Sequence, residues 1–236
     1  MTEILSEEAP ITVPAACTPR MHAAGAGGVY MDCGGAAIDM DVQERIWAIA
    51  EHLRGSAALP GIREIVPGVN NLLVLFDPLQ LNPEMAREHI LALWQHTTPA
   101  SLSHKTLNIP VIYGGEDGID LPQMAEQAGL SITDYVALHS SAHYRVVCIG
   151  STPGFTYLSG LPERLHAPRR SSPRLRIPKG SVIIGGVQAG IMPGDAPSGW
   201  HILGRTILET FDAQREPACL LAPGDVVRFI AQEINL

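Results

Sequence analysis

The chain has 236 residues, of which 46% are hydrophobic and 17% are charged, and it contains 23 Gly and 19 Pro. This composition excludes a disordered chain, which is poorer in apolar residues, and a coiled coil, which does not tolerate so much Gly and Pro. Sixteen Lys and Arg stand against 24 Asp and Glu, and the formal net charge of −8 disfavours a general nucleic-acid or anionic-membrane surface. The length fits one large or two small domains.

The first segment, residues 1–25, lacks the basic start and apolar run of an export signal. We expect it to form a flexible N-terminal extension. No stretch of the sequence reaches the roughly 18 consecutive apolar residues of a membrane helix, so no membrane partner is expected. The four Cys residues show no CxxC spacing, which favours a reducing, cytoplasmic location.

Residues 26–113 predict a small ferredoxin-like α/β domain, so the fold class is α+β. The apolar periodicity changes in the order β-α-β-β-α-β, which is the split unit of that fold. The elements are a strand over Val29–Cys33, a helix with Val42, Ile46, Ile49 and Leu53 on one face, strands over Ile62–Val66 and Leu72–Phe76, a helix after Asn82-Pro83, and a strand over Leu107–Tyr113. Asp41 and Glu44 are the predicted capping pair of the first helix.

Residues 114–144 predict a helical connector. Asp120 stands where it can cap a helix over Leu121–Ala128, which Gly129 would end. Ser131 stands in the same position before a second short helix.

Residues 145–236 predict a β-barrel or sandwich with long loops. Positions 151–200 contain 15 Gly and Pro residues, a density that no helix tolerates. Short β-branched runs, such as Val182–Ile184 and Val226–Ile230, fit strands between these turns.

A basic segment lies within this second half. Between positions 163 and 179 a single acid, Glu163, accompanies six of the sixteen cations, which are Arg164, Arg169, Arg170, Arg174, Arg176 and Lys179. A guanidinium binds a carboxylate or phosphate through two parallel hydrogen bonds, so this local excess favours an anionic ligand. A solvated loop, or a surface for an acidic partner protein, explains the same charges equally well.

Glycine-rich turns flank the basic segment, one around Gly154 and one over residues 185–190. Closely spaced glycines let a backbone approach a ligand, and the Gln188 amide can pair with a carboxamide or lactam as donor and acceptor. The alternative is that these glycines only turn barrel strands. Neither turn has the GxxxxGK[ST] or GxGxxG pattern, so the sequence predicts no phosphate loop for ATP.

Two further groups of residues are candidates for a site. The segment Pro197-Ser198-Gly199-Trp200-His201 combines a hydroxyl, a flexible Gly, an aromatic ring and an imidazole, and Trp200 beside His201 can form one wall of a small polar pocket. More often, a Trp in a β domain belongs to the core and the His next to it faces water. His139 and His143 have a helical spacing, but they lack the Glu of the HExxH motif, and no metal is predicted.

Many short motifs occur in a fixed order along residues 22–234. They include Tyr113-Gly114-Gly115-Glu116-Asp117-Gly118, Pro153-Gly154-Phe155, Pro178-Lys179-Gly180-Ser181-Val182, Ser198-Gly199-Trp200 and Leu203-Gly204-Arg205-Thr206. With these motifs the chain resembles the family of 5-oxoprolinase B subunits, which is also labelled KipI-like or allophanate hydrolase subunit 1.

The resemblance implies an α/β domain followed by a cyclophilin-like β-barrel. It also implies a hydrolase component that works with a homologous barrel-forming C subunit and an A subunit to open the lactam 5-oxo-L-proline to L-glutamate. The complex consumes ATP, whose binding site the resemblance does not locate in this chain. Two other roles occur in the family, and they stay open: the carboxyltransferase component of a biotin-dependent urea or amide carboxylase, and inhibition of a sensor histidine kinase.

The resemblance also suggests roles for the candidate residues. Arg169 and Arg170 would hold the carboxylate of the substrate or a phosphorylated intermediate, and Gln188 would orient the ring amide. Phe155, Tyr157 and Trp200 would form the apolar walls of the substrate site. Ser198 and Gly199, which precede Trp200, would also contact the substrate. His139 is the expected acid/base group.

Overall fold

The computed structural model describes residues 17–35, 37–55, 58–98 and 104–236. Two units are present within these ranges: a four-stranded sheet with two helices, and a closed β-barrel with two further helices. None of the described helices is long and apolar enough to cross a membrane.

The N-terminal unit is an antiparallel sheet in the order β1-β2-β4-β3, packed against two helices. Its strands are β1 (Arg20–Ala23), β2 (Gly28–Asp32), β3 (Ile62–Gly68) and β4 (Asn71–Phe76), and its helices are α1 (Met40–Arg54) and α2 (Pro83–His96). The α1 residues that the sequence placed on one face are all buried in the core with the sheet. The predicted hairpin between β3 and β4 is confirmed by their register.

The sequence predicted the cap of α2 correctly and the cap of α1 incorrectly. Asn82 caps α2 by accepting a hydrogen bond from the Glu84 N–H, with Pro83 in the first turn, as predicted. The prediction that Asp41 and Glu44 form the capping pair of α1 is wrong, because the Asp39 carboxylate caps this helix. The helix therefore begins slightly earlier than the predicted cap indicated.

The ferredoxin-like interpretation of the first unit is not confirmed. The strand predicted over Leu107–Tyr113 is β5 (Thr106–Gly114), and it leaves the first sheet to pair with two strands of the barrel. The outer position beside β2 is occupied instead by β1, which lies in the segment expected to be a flexible extension. Residues 1–16 of that segment lie outside the described residues.

The barrel has seven strands in the closed order β10-β7-β6-β13-β5-β12-β9, and only β5 and β13 run parallel. Besides β5 they are β6 (Tyr144–Ile149), β7 (Thr156–Ser159), β9 (Ser181–Gly185), β10 (Gln188–Ile191), β12 (His201–Arg205) and β13 (Val226–Asn235). A separate two-stranded ribbon is formed by β8 (Arg174–Ile177) and β11 (Ala196–Ser198). The second half is therefore the barrel that its turn density predicted.

The predicted connector contains α3 (Leu121–Ala128) and α4 (Ile132–Ser141). Both pack their apolar faces onto the core of the barrel, so they are part of the second unit. Gly129 ends α3 in the left-handed conformation, and Ser131 caps α4 by accepting from the Asp134 N–H, as predicted.

The two units meet where α1 packs on β6. The Trp47 indole donates to the Val147 carbonyl oxygen over 3.0 Å, and the Gln43 amide donates to the same oxygen over 3.3 Å. The Arg145 guanidinium lies 5.5 Å from the centre of the Trp47 ring. Because Trp47 and Gln43 are buried, these polar contacts fix the orientation of the first unit on the barrel.

Candidate functional site on the outer face of the barrel

Three aromatic side chains meet on the outside of the barrel. Phe155 lies 4.7 Å from Tyr157 and 5.8 Å from Trp200, and Tyr157 lies 6.1 Å from Trp200, all between ring centres and all edge to face. This geometry is a favourable one for aromatic pairs. The structure thus brings together the three rings that the sequence proposed as apolar walls.

The barrel strands supply a suitable surface for these rings. On β9 and β12, Ile183 and Ile202 face outward into the aromatic cluster, whereas the alternate residues Val182, Ile184 and Leu203 face the barrel core. Gly185 leaves room for the indole, since a Cβ at this position would lie 2.7 Å from atoms of Trp200. The glycines of this turn therefore allow an aromatic ring to lie directly on the strand backbone.

Gln188 lies on the same face of the sheet. It is the Cα partner of Gly185 across the β9–β10 ladder, so its side chain emerges beside the backbone that the Trp200 ring covers. Its Nε2 atom is buried and has no hydrogen-bond partner within the structure. An amide donor in this state is available to a ligand that can reach it.

Arg169 covers the Trp200 ring from the solvent side. Its guanidinium carbon is 5.4 Å from the ring centre, and the side chain is exposed. The other five cations of the basic segment all have partners: Arg164 donates to the Ala128 and Gly129 carbonyls, Arg170 and Arg174 to Asp120, Arg176 to Asp195, and Lys179 to Glu209. Among the residues that the structure describes, Arg169 is the one cation of this segment without an acidic or carbonyl partner.

Asp120 organises the basic segment, and the sequence did not predict this role. Its carboxylate accepts two 2.8 Å hydrogen bonds from Arg174, one of 3.4 Å from Arg170, and one of 2.8 Å from the Ile202 N–H. The capping role predicted for it is wrong, since its side chain makes no hydrogen bond to the first turn of α3. Burial alone would raise the pKa of Asp120, but the hydrogen bonds from Arg174 and Ile202 and the two positive charges lower it.

Ser198 and Gly199 hold the Trp200 loop in place. The Ser198 hydroxyl oxygen accepts from the Trp200 N–H over 3.2 Å, and the Gly199 carbonyl accepts from the Arg170 N–H over 2.7 Å. Both contacts are with other residues of the candidate set. The loop with Trp200 and the loop with Arg169 and Arg170 are thus directly joined.

His139 is not brought to this surface. It is fully buried in α4, its Nδ1 lies 2.8 Å from the Tyr113 hydroxyl, and its ring stacks on Phe229 at 4.9 Å. Burial lowers its pKa from 6.5 to about 3, so the imidazole is neutral. This position gives His139 no contact with a substrate bound on the outer face of the barrel.

The basic segment does not fit a nucleoside triphosphate. Five of the six clustered cations are already engaged, and one free guanidinium is too little charge for a triphosphate. Groups of three or more His, Cys, Asp or Glu with the geometry of a metal site are also absent from the described part of the chain.

Sequence comparisons place this chain in a known family. The model of the carboxyltransferase domain, subdomain C and D, matches residues 19–221. The 5-oxoprolinase B subunit of Escherichia coli O157:H7 is 43% identical over 81% of this chain and 86% of its own length. The 5-oxoprolinase B subunit of Haemophilus influenzae is 40% identical over 82% of this chain and 89% of its own length.

Solved structures share the fold of this chain. TTHA0988 is 36% identical and superposes with a TM-score of 0.76 over 87% of this chain, which spans 40% of that longer protein. The Kluyveromyces lactis urea amidolyase shares the fold, with a TM-score of 0.76 at 19% identity over 95% of this chain and 15% of its own length. From the family model and these relatives, the chain belongs to the family of 5-oxoprolinase B subunits.

Proposed function

We propose that the chain is the B subunit of an ATP-dependent 5-oxoprolinase, a cytoplasmic complex with an A subunit and a C subunit that hydrolyses 5-oxo-L-proline to L-glutamate. The names of the relatives that match over most of its length support this proposal. The seven-stranded barrel, which we take to be cyclophilin-like, would supply one wall of the substrate site.

The observation that carries the proposal is the free guanidinium of Arg169 on the Trp200 ring, beside the unpartnered amide of Gln188. A small lactam acid has an anionic carboxylate, a flat apolar ring and an amide edge. Arg169 fits the carboxylate, the Trp200 and Tyr157 faces fit the ring, and Gln188 fits the amide. Each feature of the substrate class therefore has a counterpart on one face of the barrel.

The chain's own residues would bind and orient the substrate. An unstrained lactam is stabilised by amide resonance, so its hydrolysis requires activation, which ATP supplies in the complete enzyme. Since the basic segment does not fit a nucleoside triphosphate, we assign ATP to another component of the complex. The aromatic cluster would exclude water from the ring, and Arg169 would hold the carboxylate while the carbonyl faces that component.

The site is incomplete in the isolated chain. Arg169 is exposed, and the candidate residues brought together around Trp200, which are Phe155, Tyr157, Gln188, Ser198 and Gly199, include no carboxylate and no imidazole. The C subunit would close this face and complete the catalytic groups. We therefore expect the isolated chain to be inactive.

The test is reconstitution of the purified chain with the A and C subunits, 5-oxo-L-proline and ATP. Glutamate release should require all three proteins and ATP. Release of glutamate at the same rate by the A and C subunits without this chain would contradict the proposal. Omission of ATP provides the matched control, because it leaves the assembly intact.

A second candidate is the carboxyltransferase component of a biotin-dependent urea or amide carboxylase, favoured by the family model that matches residues 19–221. This function predicts carboxylation that depends on a biotinylated partner and stops when avidin is added. Avidin-insensitive release of glutamate would exclude it. Inhibition of a histidine kinase by the chain, without lactam turnover in the reconstituted complex, would instead favour the regulatory role.

A further inference from the structure

A polar cleft of about 460 Å³ lies beside the aromatic face, between α3 and the segment 168–172, most of which is exposed. Its walls include the polar and charged side chains of Gln123, Gln127, Arg169, Arg170 and His201. Arg169 belongs both to this cleft and to the surface of Trp200, so the two sites are continuous.

His201 presents a hydrogen-bond acceptor that nothing in the structure uses. The residue is 7% exposed, and its Nε2 lies 2.8 Å from the Pro168 carbonyl oxygen. Because a carbonyl oxygen only accepts, Nε2 carries the proton, and in the neutral ring Nδ1 is then an acceptor. This Nδ1 is buried and has no hydrogen-bond partner among the described residues.

Arg170 presents the complementary donor. Its Nη1 points to Asp120 at 3.4 Å and its backbone N–H bonds to Gly199, yet its buried Nε–H has no partner. A buried polar group without a hydrogen bond is costly, so such groups in native proteins are usually satisfied by something. Two of them, one acceptor and one donor, occur here on residues of a single cleft.

The charge of the cleft is positive. Arg174 holds the Asp120 carboxylate with two hydrogen bonds, which leaves Arg170 only a long contact to that acid and leaves Arg169 with none. A ligand that satisfies the cleft must therefore offer a negatively charged acceptor to the arginines and an N–H donor to His201.

We propose that this cleft binds the carboxylate and the neighbouring ring N–H of a cyclic α-amido acid, with Arg169 and Arg170 on the carboxylate and His201 Nδ1 on the N–H. The inference rests on the proposed function and assigns two groups of the lactam: the α-carboxylate, which does not react, and the ring nitrogen, which leaves as the amine when the amide C–N bond is hydrolysed. The His201 Nδ1 and Arg170 Nε atoms are both buried in the free chain. The largely exposed segment 168–172 therefore moves when the ligand enters.

This assignment makes His201 a specificity-determining residue. With the carboxylate and the N–H held in the cleft, the carbonyl on the next ring atom is left free to face the other components of the complex. 2-Pyrrolidinone has no carboxylate, and N-methyl-5-oxo-L-proline has no amide N–H. The cleft should therefore select on the carboxylate and the amide N–H together.

The first test is the substrate dependence of the reconstituted complex containing His201→Phe. We expect KM for 5-oxo-L-proline to rise about tenfold, the loss of roughly one hydrogen bond, while kcat stays within about twofold. The control is His166→Phe, because the His166 Nε2 also contacts a backbone carbonyl, that of Leu161, at 3.0 Å but lies outside the cleft. His201→Asn, which returns an amide oxygen near Nδ1, should restore most of the KM and guards against a variant that fails to fold.

The second test is calorimetric titration of the complex without ATP. 5-Oxo-L-proline should bind, whereas 2-pyrrolidinone and N-methyl-5-oxo-L-proline should each bind at least about tenfold more weakly. Equal affinity for the N-methyl compound, or an unchanged KM in folded His201→Phe, overturns the cleft assignment and leaves the proposed function standing. Absence of lactam turnover by the wild-type complex overturns the proposed function, and the titration then decides the cleft by itself.

Discussion

The Asp120 carboxylate and the Arg174 guanidinium form a bidentate ion pair, in which both hydrogen bonds are 2.8 Å long and the Asp120 side chain is 4% exposed. The pair joins the start of α3 to β8, and a third bond from the Ile202 N–H joins it to β12. Three segments that are distant in sequence are thus tied at one carboxylate. The position of the loop with Arg169 and Arg170 depends on this connection.

Replacing Asp120 by Asn should destabilise the chain by about 2 kcal/mol. The change leaves two partly buried guanidinium groups without their acid, and the partial exposure of the arginines keeps the loss below that of a fully buried pair. Urea denaturation of wild type and variant measures this loss in the free energy of unfolding. Asp195→Asn is the matched control, since that acid pairs with Arg176 at an exposed position and should change the free energy of unfolding much less.

The contribution of Asp120 should disappear in acid. Its pKa lies below the ordinary 3.8, so the stability that it contributes is complete above pH 3.8 and is lost as the pH falls through the lower folded value. The difference in free energy of unfolding between wild type and Asp120→Asn should therefore be constant from about pH 7 to pH 5 and shrink below pH 3.8. A difference that grows on acidification would contradict the assigned direction.

Gly185→Ala should displace the Trp200 ring. The new methyl would lie 2.7 Å from indole atoms, and overpacking of this kind costs about 1–3 kcal/mol. We expect changed Trp fluorescence and a raised KM for the lactam. Gly194→Ala is the control because a Cβ there meets nothing within 4 Å, and an identical fluorescence change in both variants would argue against the packing of Trp200 on Gly185.

His139 should make the fold sensitive to moderate acid. Since burial lowers its pKa from 6.5 to about 3, the unfolded chain binds a proton in this range that the folded chain does not. Wild type should lose stability as the pH falls from 6.5 towards about 4. In His139→Gln this loss should be smaller, whatever the stability of the variant at neutral pH. If the free energy of unfolding has the same slope against pH in the two proteins, His139 is not held neutral by burial.

Local signals predicted the local structure well. The Asn82-Pro83 start of α2, the Ser131 cap, the Gly129 helix end and the hairpin between β3 and β4 depend on neighbours in sequence, and all are confirmed. The dense turns of the second half predicted a barrel or sandwich, and the barrel is closed.

Pairings between distant segments were not predictable in the same way. An apolar strand such as Thr106–Gly114 fits a ferredoxin-like sheet and a barrel equally well, and only its partners β12 and β13 decide between them. Asp120 resembled a helix cap because its arginine partner is 54 residues away. The rings of Phe155, Tyr157 and Trp200, which the sequence analysis grouped, lie in contact with one another, whereas His139, chosen for its chemistry alone, belongs to the core.

The most direct test of the central claim is the KM for 5-oxo-L-proline of reconstituted complexes that contain Arg169→Ala or Arg176→Ala. Arg169 covers Trp200 and has no acidic partner in the described part of the chain, whereas Arg176 is an exposed cation paired with Asp195. Loss of a charge-assisted hydrogen bond, worth roughly 1.5–3 kcal/mol, corresponds to a rise in KM of about tenfold or more, and we expect it for Arg169→Ala only. An unchanged KM in Arg169→Ala, or an equal rise in both variants, would contradict the account.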